Sequence, residues 1–336
     1  MYTSLSADVF MILVDILEYC GPLNYYAGWP VKSIKMADQL LILLMKLRLN
    51  ARDLDLAHRF GVSRCTVSNI VHTLLHALHE ILYEGVMVDG GVPSQLKCKG
   101  CMPKSFEELG AARMAIDATE VYQDIPSDLH RQNLAYSNYK SRHTLKGVTG
   151  VAPNGAIVFC SDLYLGSTSD NQIVEHSNLI SKFSPGDLIL ADKGFTIYDK
   201  LPSGVFLNVP PFLANNGFFT KQEAEATYKL GRNRIHVERA NERIKNYTIL
   251  SHIPAKYRCI SSKIFQLCNC LVNLQAPLLK EVADTFKDNM SVKDMTDNWT
   301  LLVLRECPGI LQYSKTSELR TSHQRKFFHL EQILIH

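Results

Sequence analysis

Three acidic residues occupy three separate settings: Asp117 in IDATE, Asp192 in LADKGF and Glu238 in RIHVERANERIK. The first two end or interrupt apolar strand patterns, and the third lies on a basic helix. Carboxylates brought together from distant parts of a chain suit a pair of divalent ions, and therefore phosphodiester chemistry on nucleic acid. A phosphodiester is anionic and its leaving alkoxide is poor, so hydrolysis needs charge neutralised on both sides. Mg²⁺ takes hard oxygen ligands, which carboxylates supply. Two carboxylates about 4 Å apart repel by roughly 4 kcal/mol at an effective dielectric of 20. Such a cluster is tolerated only if it binds cations or takes up a proton. The expectation is that Asp117 bridges both ions while Asp192 and Glu238 each bind one. Each acid also has a plainer reading. Asp192 could cap the turn before Lys193-Gly194, and Glu238 could pair with Arg234 or Lys245 on its own helix. Asp117 is hardest to dismiss, because an acid inside an apolar strand needs a partner. Glu120, Asp170 and Glu242 are the rival acids.

Elements that could position these groups follow from pattern. Arg113–Tyr122 alternates, with Met114, Ile116 and Ala118 on one face and Ala115, Asp117, Thr119 and Val121 on the other. Residues 143–152 and 156–161 flank Pro153-Asn154-Gly155, a hairpin with an Asn-Gly turn. Residues 187–191 read as a short buried strand delivering Asp192. Thr220 and Glu223 form a capping box that opens a helix. Ala226, Leu230, Val237, Ala240 and Ile244 make an apolar stripe, with Gly231 a break between segments. Glu238, Asn241, Glu242 and Lys245 lie beside that stripe.

Upstream, Ser6 caps a helix to about Tyr19, a Pro/Gly/aromatic stretch follows, and Met36–Leu49 forms a second helix. ARDLDLAHRF, Gly61-Val62 and the Ser63-capped run to about Leu82 then read as helix, Gly turn and capped helix, a helix-turn-helix. Val67, Ile70 and Val71 face the core, which turns Arg64, Cys65, Ser68, Asn69 and His72 outward, where Arg64, Ser68 and Asn69 would meet a major groove. The alternative is a small helical bundle for protein contacts. His72, His76 and His79 share a helix side and read as packing.

The chain has 336 residues with 46% hydrophobic and 21% charged, globular values that leave room for a main and a smaller domain. Net charge is only +3, but residues 229–263 hold a strip of lysines and arginines, among them Arg239, Arg243 and Lys245, which reads as an anion-facing surface. The alternative is a solvated helix face. Nine scattered cysteines do not look like a disulfide framework and point to a reducing compartment. Cys98 and Cys101 form a lone CxxC, read as an inert pair. Cys268 and Cys270 read as core. The apolar run at 10–14 is a packing face, with no membrane span. The expected division is an N-terminal helix (1–30), a helix-turn-helix domain (31–85), an irregular linker (86–108), a mixed α/β catalytic domain (109–275) and a tail of unassigned role (276–336).

The segments IDATEVYQDIPS, YSNYKSRHTLKGVTGVAPNGAIVFCSDLYLGSTSD, GDLILADKGF, LNVPPFL and RIHVERANERIKNY resemble the DDE superfamily endonuclease domain of Harbinger-like transposases. MADQLLILLMKLRLNARDLDLAHRFGVSRCTVSNI resembles the helix-turn-helix that precedes it. The resemblance implies an RNase H-like fold, with the acidic triad on Asp117, Asp192 and Glu238 and Asp170 as an accessory acid. It implies Mg²⁺ or Mn²⁺ dependence, strand cleavage at element ends and transfer of a 3′-hydroxyl to target DNA. Double-stranded DNA, a second copy of the chain and a nuclear location go with it. Many relatives carry a zinc-binding DNA-recognition finger upstream, absent from this sequence, so either a longer gene or a separate DNA-binding partner protein is expected to supply it. The alternative function is a domesticated, transposase-derived DNA-binding or chromatin-associated nuclear protein. An RNA-processing nuclease on the same fold is a third.

Overall fold

The computed structural model describes residues 2–100, 102–210 and 221–279. The N-terminal part is helical. α1 (Ala7–Tyr19) is capped by Ser6, whose hydroxyl accepts from the Val9 N–H, and it buries Val9, Leu13, Val14 and Leu17. α2 (Met36–Leu49) is the central helix of this part, with Leu40, Ile42, Leu43 and Leu44 fully buried. α3 (Asp53–Phe60) ends at Gly61, whose φ of 63° lies in the left-handed region that a residue without Cβ enters cheaply. Ser63 then caps α4 (Arg64–Leu78) by accepting from the Thr66 N–H at 3.0 Å. Val67, Ile70 and Val71 face the core as the periodicity requires. The helix continues past Leu78 with a wider, π-helical pitch over His79–Val88.

The segment expected to be an irregular linker is instead ordered against the sheet. It contains α5 (Gln95–Gly100) and a 3₁₀ turn, Lys104–Leu109, that buries Phe106. Arg113 explains the ordering. Its guanidinium forms a buried ion pair with Asp187 and its Nε donates to the Pro93 carbonyl at 2.9 Å. Gly and Pro in this segment signal an absence of periodicity, which is not an absence of contacts.

The sheet comprises β1 (Ala112–Tyr122), β2 (Tyr136–Ser137), β3 (Arg142–Val151), β4 (Ile157–Cys160), β5 (Tyr164–Leu165), β6 (Leu188–Leu190) and β7 (Phe206–Asn208). Its main order is β4-β3-β1-β6-β7. β3 pairs antiparallel with β4 and β1, while β6 and β7 run parallel to β1. β2 and β5 add short antiparallel pairings to the other end of β3. Helices α6 (Leu129–Ala135), α7 (Asp170–His176), α8 (Lys221–Lys245) and α9 (Ser261–Asn273) are the remaining α-helices among the described residues. This is the expected α/β, RNase H-like mixed sheet behind an all-α helix-turn-helix region.

The alternation read along β1 holds. Met114, Ile116 and Ala118 face one cluster with Ile173, Val174 and Phe195, whereas Ala115 and Val121 face the other, with α8 and α9. That second cluster runs without interruption into α1, α2 and α4. α9 carries the continuity, because it is buried on every side, with Phe265, Leu267, Cys268 and Leu271 fully buried and Cys270 nearly so. Its approach to β3 depends on Gly147, where a Cβ would stand 2.8 Å from the Phe265 ring.

Two expectations about α8 change. The helix passes through Gly231 without a break, since helix propensity costs only about 1 kcal/mol there and the buried flank outweighs it. The capping residue Thr220, the side chains of Ala226 and Leu230 and the tail from residue 280 lie outside the described residues.

Candidate active site and nucleic-acid interface

The parallel register of β1 and β6 sets Ala115 opposite Leu190. Two residues further along each strand stand Asp117 and Asp192, so the two acids leave neighbouring strands toward the same face. Asp192 lies just past β6, in a turn closed by the Phe195 N–H donating to its carbonyl at 3.0 Å. Its Oδ1 also accepts from the Lys193 N–H at 2.8 Å, which is the turn-capping role offered as its plainer reading. α8 packs over β1 through Val237, Ala240 and Ile244, all fully buried. Steps of four, three and four residues then place Arg234, Glu238, Asn241 and Lys245 along one flank of that helix.

Asn241 donates its amide to Asp117 Oδ2 at 2.9 Å. Arg234 lies between the other two acids, with Nη1 3.4 Å from Asp192 Oδ1 and Nη2 3.7 Å from Glu238 Oε1. The guanidinium is 10% exposed, while Asp192 and Glu238 are 53% and 57% exposed. Burial pushes the Asp117 carboxyl above the usual range. The amide of Asn241 and the charge of Arg234 oppose that shift, and the neighbouring Asp192 adds to it. Asp117 is therefore an acid whose ionised form needs more positive charge than the fold provides.

The donor set fits a hard divalent cation. Thr149 is the cross-strand partner of Asp117 and Thr119 follows two residues later on the same face. Both hydroxyls, and the amide oxygen of Asn241, are buried without hydrogen-bond partners among the described residues. Uncommitted oxygens around a desolvated carboxylate are what Mg²⁺ or Mn²⁺ coordination, directly or through water, would use. Among the described residues no three His, Cys, Asp or Glu side chains stand close enough together to hold an ion as they are. Arg234 occupies the space between the acids.

The remaining expected residues divide. Asp170 opens α7 with its Oδ1 3.2 Å from Lys146 Nζ, without hydrogen-bond geometry, and its Oδ2 lies beside Gly194 in the Asp192 turn. Glu120 is on the opposite face of β1, accepting from Thr144 Oγ1 at 2.8 Å, with Lys146 3.9 Å away. Glu242 is exposed. The basic strip does not form one surface. Arg234 serves the acids and Arg258 donates to the Asp124 carbonyl. Lys256 pairs with Asp53. Arg243, expected on DNA, donates instead to the Ala276 and Pro277 carbonyls, because its stem points at the chain leaving α9. Arg239 and Lys245 remain exposed. Burial and the nearby Lys140 lower the Lys245 pKa, against the pull of Asp117 and Glu120, so this ammonium borders the acidic site.

In the helix-turn-helix, Arg64 is exposed and Ser68 half-buried. Asn69 requires correction. It is 1% exposed, its Oδ1 accepts from the Ala27 N–H at 2.8 Å and its Nδ2 donates to the Trp29 carbonyl at 3.0 Å. The strap at 20–35 lies on the face that helix periodicity assigns to solvent. His72 stacks on Tyr26 with ring centroids 4.5 Å apart, and His79 bonds Gln266 at 2.8 Å, so these histidines are packing groups.

Sequence reasoning missed the central position of Arg234 and the partnership of Asn241 with Asp117. The signal was present, since both lie on the flank that carries Glu238. Thr119 and Thr149 gave no signal, because threonine is ordinary in strands.

Two family models match the chain: "DDE superfamily endonuclease" over residues 116–273 and "Helix-turn-helix of DDE superfamily endonuclease" over residues 32–84. No curated protein and no solved structure matches it. The two matches follow one another in the order of a transposase, and the endonuclease match contains all three acids gathered on α8, β1 and the β6 turn. The chain thus carries a DDE superfamily endonuclease domain preceded by the helix-turn-helix domain of that superfamily, an arrangement consistent with a transposase.

Proposed function

We propose that the protein is a metal-dependent DNA endonuclease and transposase of the Harbinger-like type. Asp117, Asp192 and Glu238 are its catalytic acids, and all three hold the metal. One observation carries this reading: Asp192 and Glu238, from two elements, share the buried cation Arg234, whose charge also reaches the desolvated Asp117 on a third element, held by Asn241 from the same helix flank.

Two Mg²⁺ or Mn²⁺ ions, when bound, supply charge neutralisation and activation of water or a 3′-hydroxyl. Asp117 is held by Asn241 in one orientation, with the Thr119 and Thr149 hydroxyls beside it. Asp192 is fixed by its turn, within which its side chain accepts from the Lys193 N–H. Glu238 projects from α8 into solvent and approaches from the open side, where DNA must enter. Arg234 neutralises Asp192 and Glu238 when the site holds no other cation, and its guanidinium is placed to meet the charge of a phosphate. Asp170, beside the Asp192 turn, is an accessory acid. Arg239 and Lys245 face the incoming duplex, and Arg64 and Ser68 remain the helix-turn-helix groups open to it. Joining of the freed 3′-hydroxyl to target DNA, assembly as a homo-oligomer, a separate DNA-binding partner and action in the nucleus belong to the same proposal.

A cleavage assay on end-labelled duplex DNA tests it, with the wild type and Asp192→Ala in Mg²⁺ and Mn²⁺. Metal-dependent strand breaks by the wild type alone are the expected result. Equal cleavage by both proteins, or none by the wild type in either metal, refutes the assignment.

A further inference from the structure

Where the helix-turn-helix meets the endonuclease domain there is a cleft of about 470 Å³, of whose lining only Arg64 belongs to an expected site. Lys46, Arg52, Asp53, Arg64, Pro254 and Lys256 contribute to its lining. They come from the end of α2, the starts of α3 and α4, and the segment between α8 and α9. We propose that this cleft binds one backbone phosphate of the duplex being cut, a proposal that rests on the DNA reading above.

Charge is the first argument. Asp53 is 7% exposed and each of its oxygens has an ammonium within ion-pair distance, Lys46 Nζ 3.0 Å from Oδ1, without hydrogen-bond geometry, and Lys256 against Oδ2. Lys46 also donates to the Ala51 carbonyl at 2.7 Å. Two ammoniums on one carboxylate leave a positive remainder. To this the exposed guanidiniums of Arg52 and Arg64 are added, neither with an ion pair or hydrogen bond among the described residues. Four cations therefore share a concave site with a single, already neutralised acid. Such a surface attracts a diffuse, strongly acidic ligand.

Backbone donors point the same way. α3 begins without a side-chain cap, since its first flanking residue, Arg52, supplies no acceptor. The leading N–H groups of this helix, at Asp53 and Leu54 on the cleft wall, have no intrahelical partner. A phosphate oxygen is the ligand that such donors and the flanking guanidiniums fit together.

Position selects duplex DNA over a free anion. Tyr122 at the end of β1 accepts from the Ile253 N–H at 2.8 Å, and Pro254 on the cleft wall follows directly. Asp117 lies on the same strand, five residues and about 17 Å back at the usual rise per residue. At about 3.4 Å per nucleotide along one strand, that interval is about five nucleotides. A single B-form duplex can therefore touch the acidic site and the cleft at once. Arg64, which helix periodicity offers as a base reader, becomes a backbone clamp that sets the register of the helix-turn-helix on the duplex.

The test uses the full chain in Ca²⁺, with fluorescein-labelled random and selected duplexes and binding followed by anisotropy across a salt series. Arg52→Ala, Arg64→Ala and the double variant leave the Lys46–Asp53–Lys256 group intact, and circular dichroism melts check that they fold. One lost phosphate contact removes about 0.9 from the slope of log affinity against log salt, about tenfold in affinity near 0.1 M salt. The double variant should lose about one such unit on every duplex alike. An unchanged slope in a folded double variant overturns the proposal and leaves DNA binding standing. Weakening confined to the selected duplex overturns it in favour of base readout. Tripolyphosphate stabilising the wild type as much as duplex does, with the double variant losing both effects, assigns the cleft to a free anion. A wild type that binds no duplex at all overturns the proposal together with the DNA reading.

Discussion

Replacing Asn69 by alanine separates two roles for the outward face of α4. Asn69 is 1% exposed and ties down the strap at 20–35 through the Ala27 N–H at 2.8 Å and the Trp29 carbonyl at 3.0 Å. One turn further on, the Thr73 hydroxyl accepts from the Tyr26 N–H at 2.9 Å, and Tyr26 stacks on His72. Two neutral hydrogen bonds contribute about 1 kcal/mol each. Ala27 and Trp29 are exposed, so water can satisfy their backbone groups once the strap lifts, and the loss should be about 2 kcal/mol with no further desolvation term. In a chain of this size that lowers the melting temperature by roughly 3 °C. Opening of the strap should also expose Lys32 and Lys35 to limited trypsin digestion, read by mass spectrometry. Binding to a panel of duplexes should weaken evenly and slightly, because Asn69 itself touches no base. An unchanged melting temperature combined with loss of selectivity among duplexes would refute this reasoning and return Asn69 to the major groove.

Other outcomes follow from the same structure. Asp117→Asn, Asp192→Asn and Glu238→Gln should each abolish metal-dependent cleavage while duplex affinity stays within a few-fold, whereas Glu120→Gln should stay active because its carboxylate faces Thr144 and Lys146; robust cleavage by any of the first three disproves the triad. His236 is buried against Phe106 and its pKa is depressed to about 4, by desolvation first and then by Arg239. An unfolded histidine near 6.5 takes a proton that the folded one refuses. Its contribution is therefore complete above pH 6.5 and is lost as pH falls toward 4, reaching about 2 kcal/mol by pH 5. Urea unfolding of the wild type should show that loss between pH 7 and 5, and His236→Leu should reduce it by the same amount; equal losses in both proteins would contradict the assignment. Gly147→Ala puts a methyl group 2.8 Å from the Phe265 ring and should destabilise by about 1–3 kcal/mol through overpacking. A melting temperature equal to wild type would mean that α9 shifts without cost.

Local grammar determined much of this protein. Ser6 and Ser63 cap the helices they precede, Gly61 makes the left-handed turn, Asn154-Gly155 marks the hairpin, and period-two alternation sorts β1 correctly between its two cores. These features depend on neighbours a few residues apart, so pattern suffices. The three acids proposed as catalytic also stand out in the sequence, Asp117 and Asp192 because they interrupt or follow apolar strand patterns and Glu238 because it lies on a basic helix. Tertiary structure decided what those features face. Helix periodicity turns Asn69 outward, but only the chain path shows that the strap at 20–35 lies there to receive it. The basic run at 229–263 is continuous in sequence, yet each side chain was allotted by packing: Arg234 to the acids, Arg243 to the carbonyls beyond α9, Arg258 to Asp124 and Lys256 to Asp53. Charge counted along a chain cannot foresee this, since an ion pair forms with whatever the fold brings within reach. The register of β6 on β1, which sets Asp192 beside Asp117, and the crossing of α8 that adds Arg234 and Asn241, are likewise properties of strands and helices in contact, created only when the apolar faces find one another.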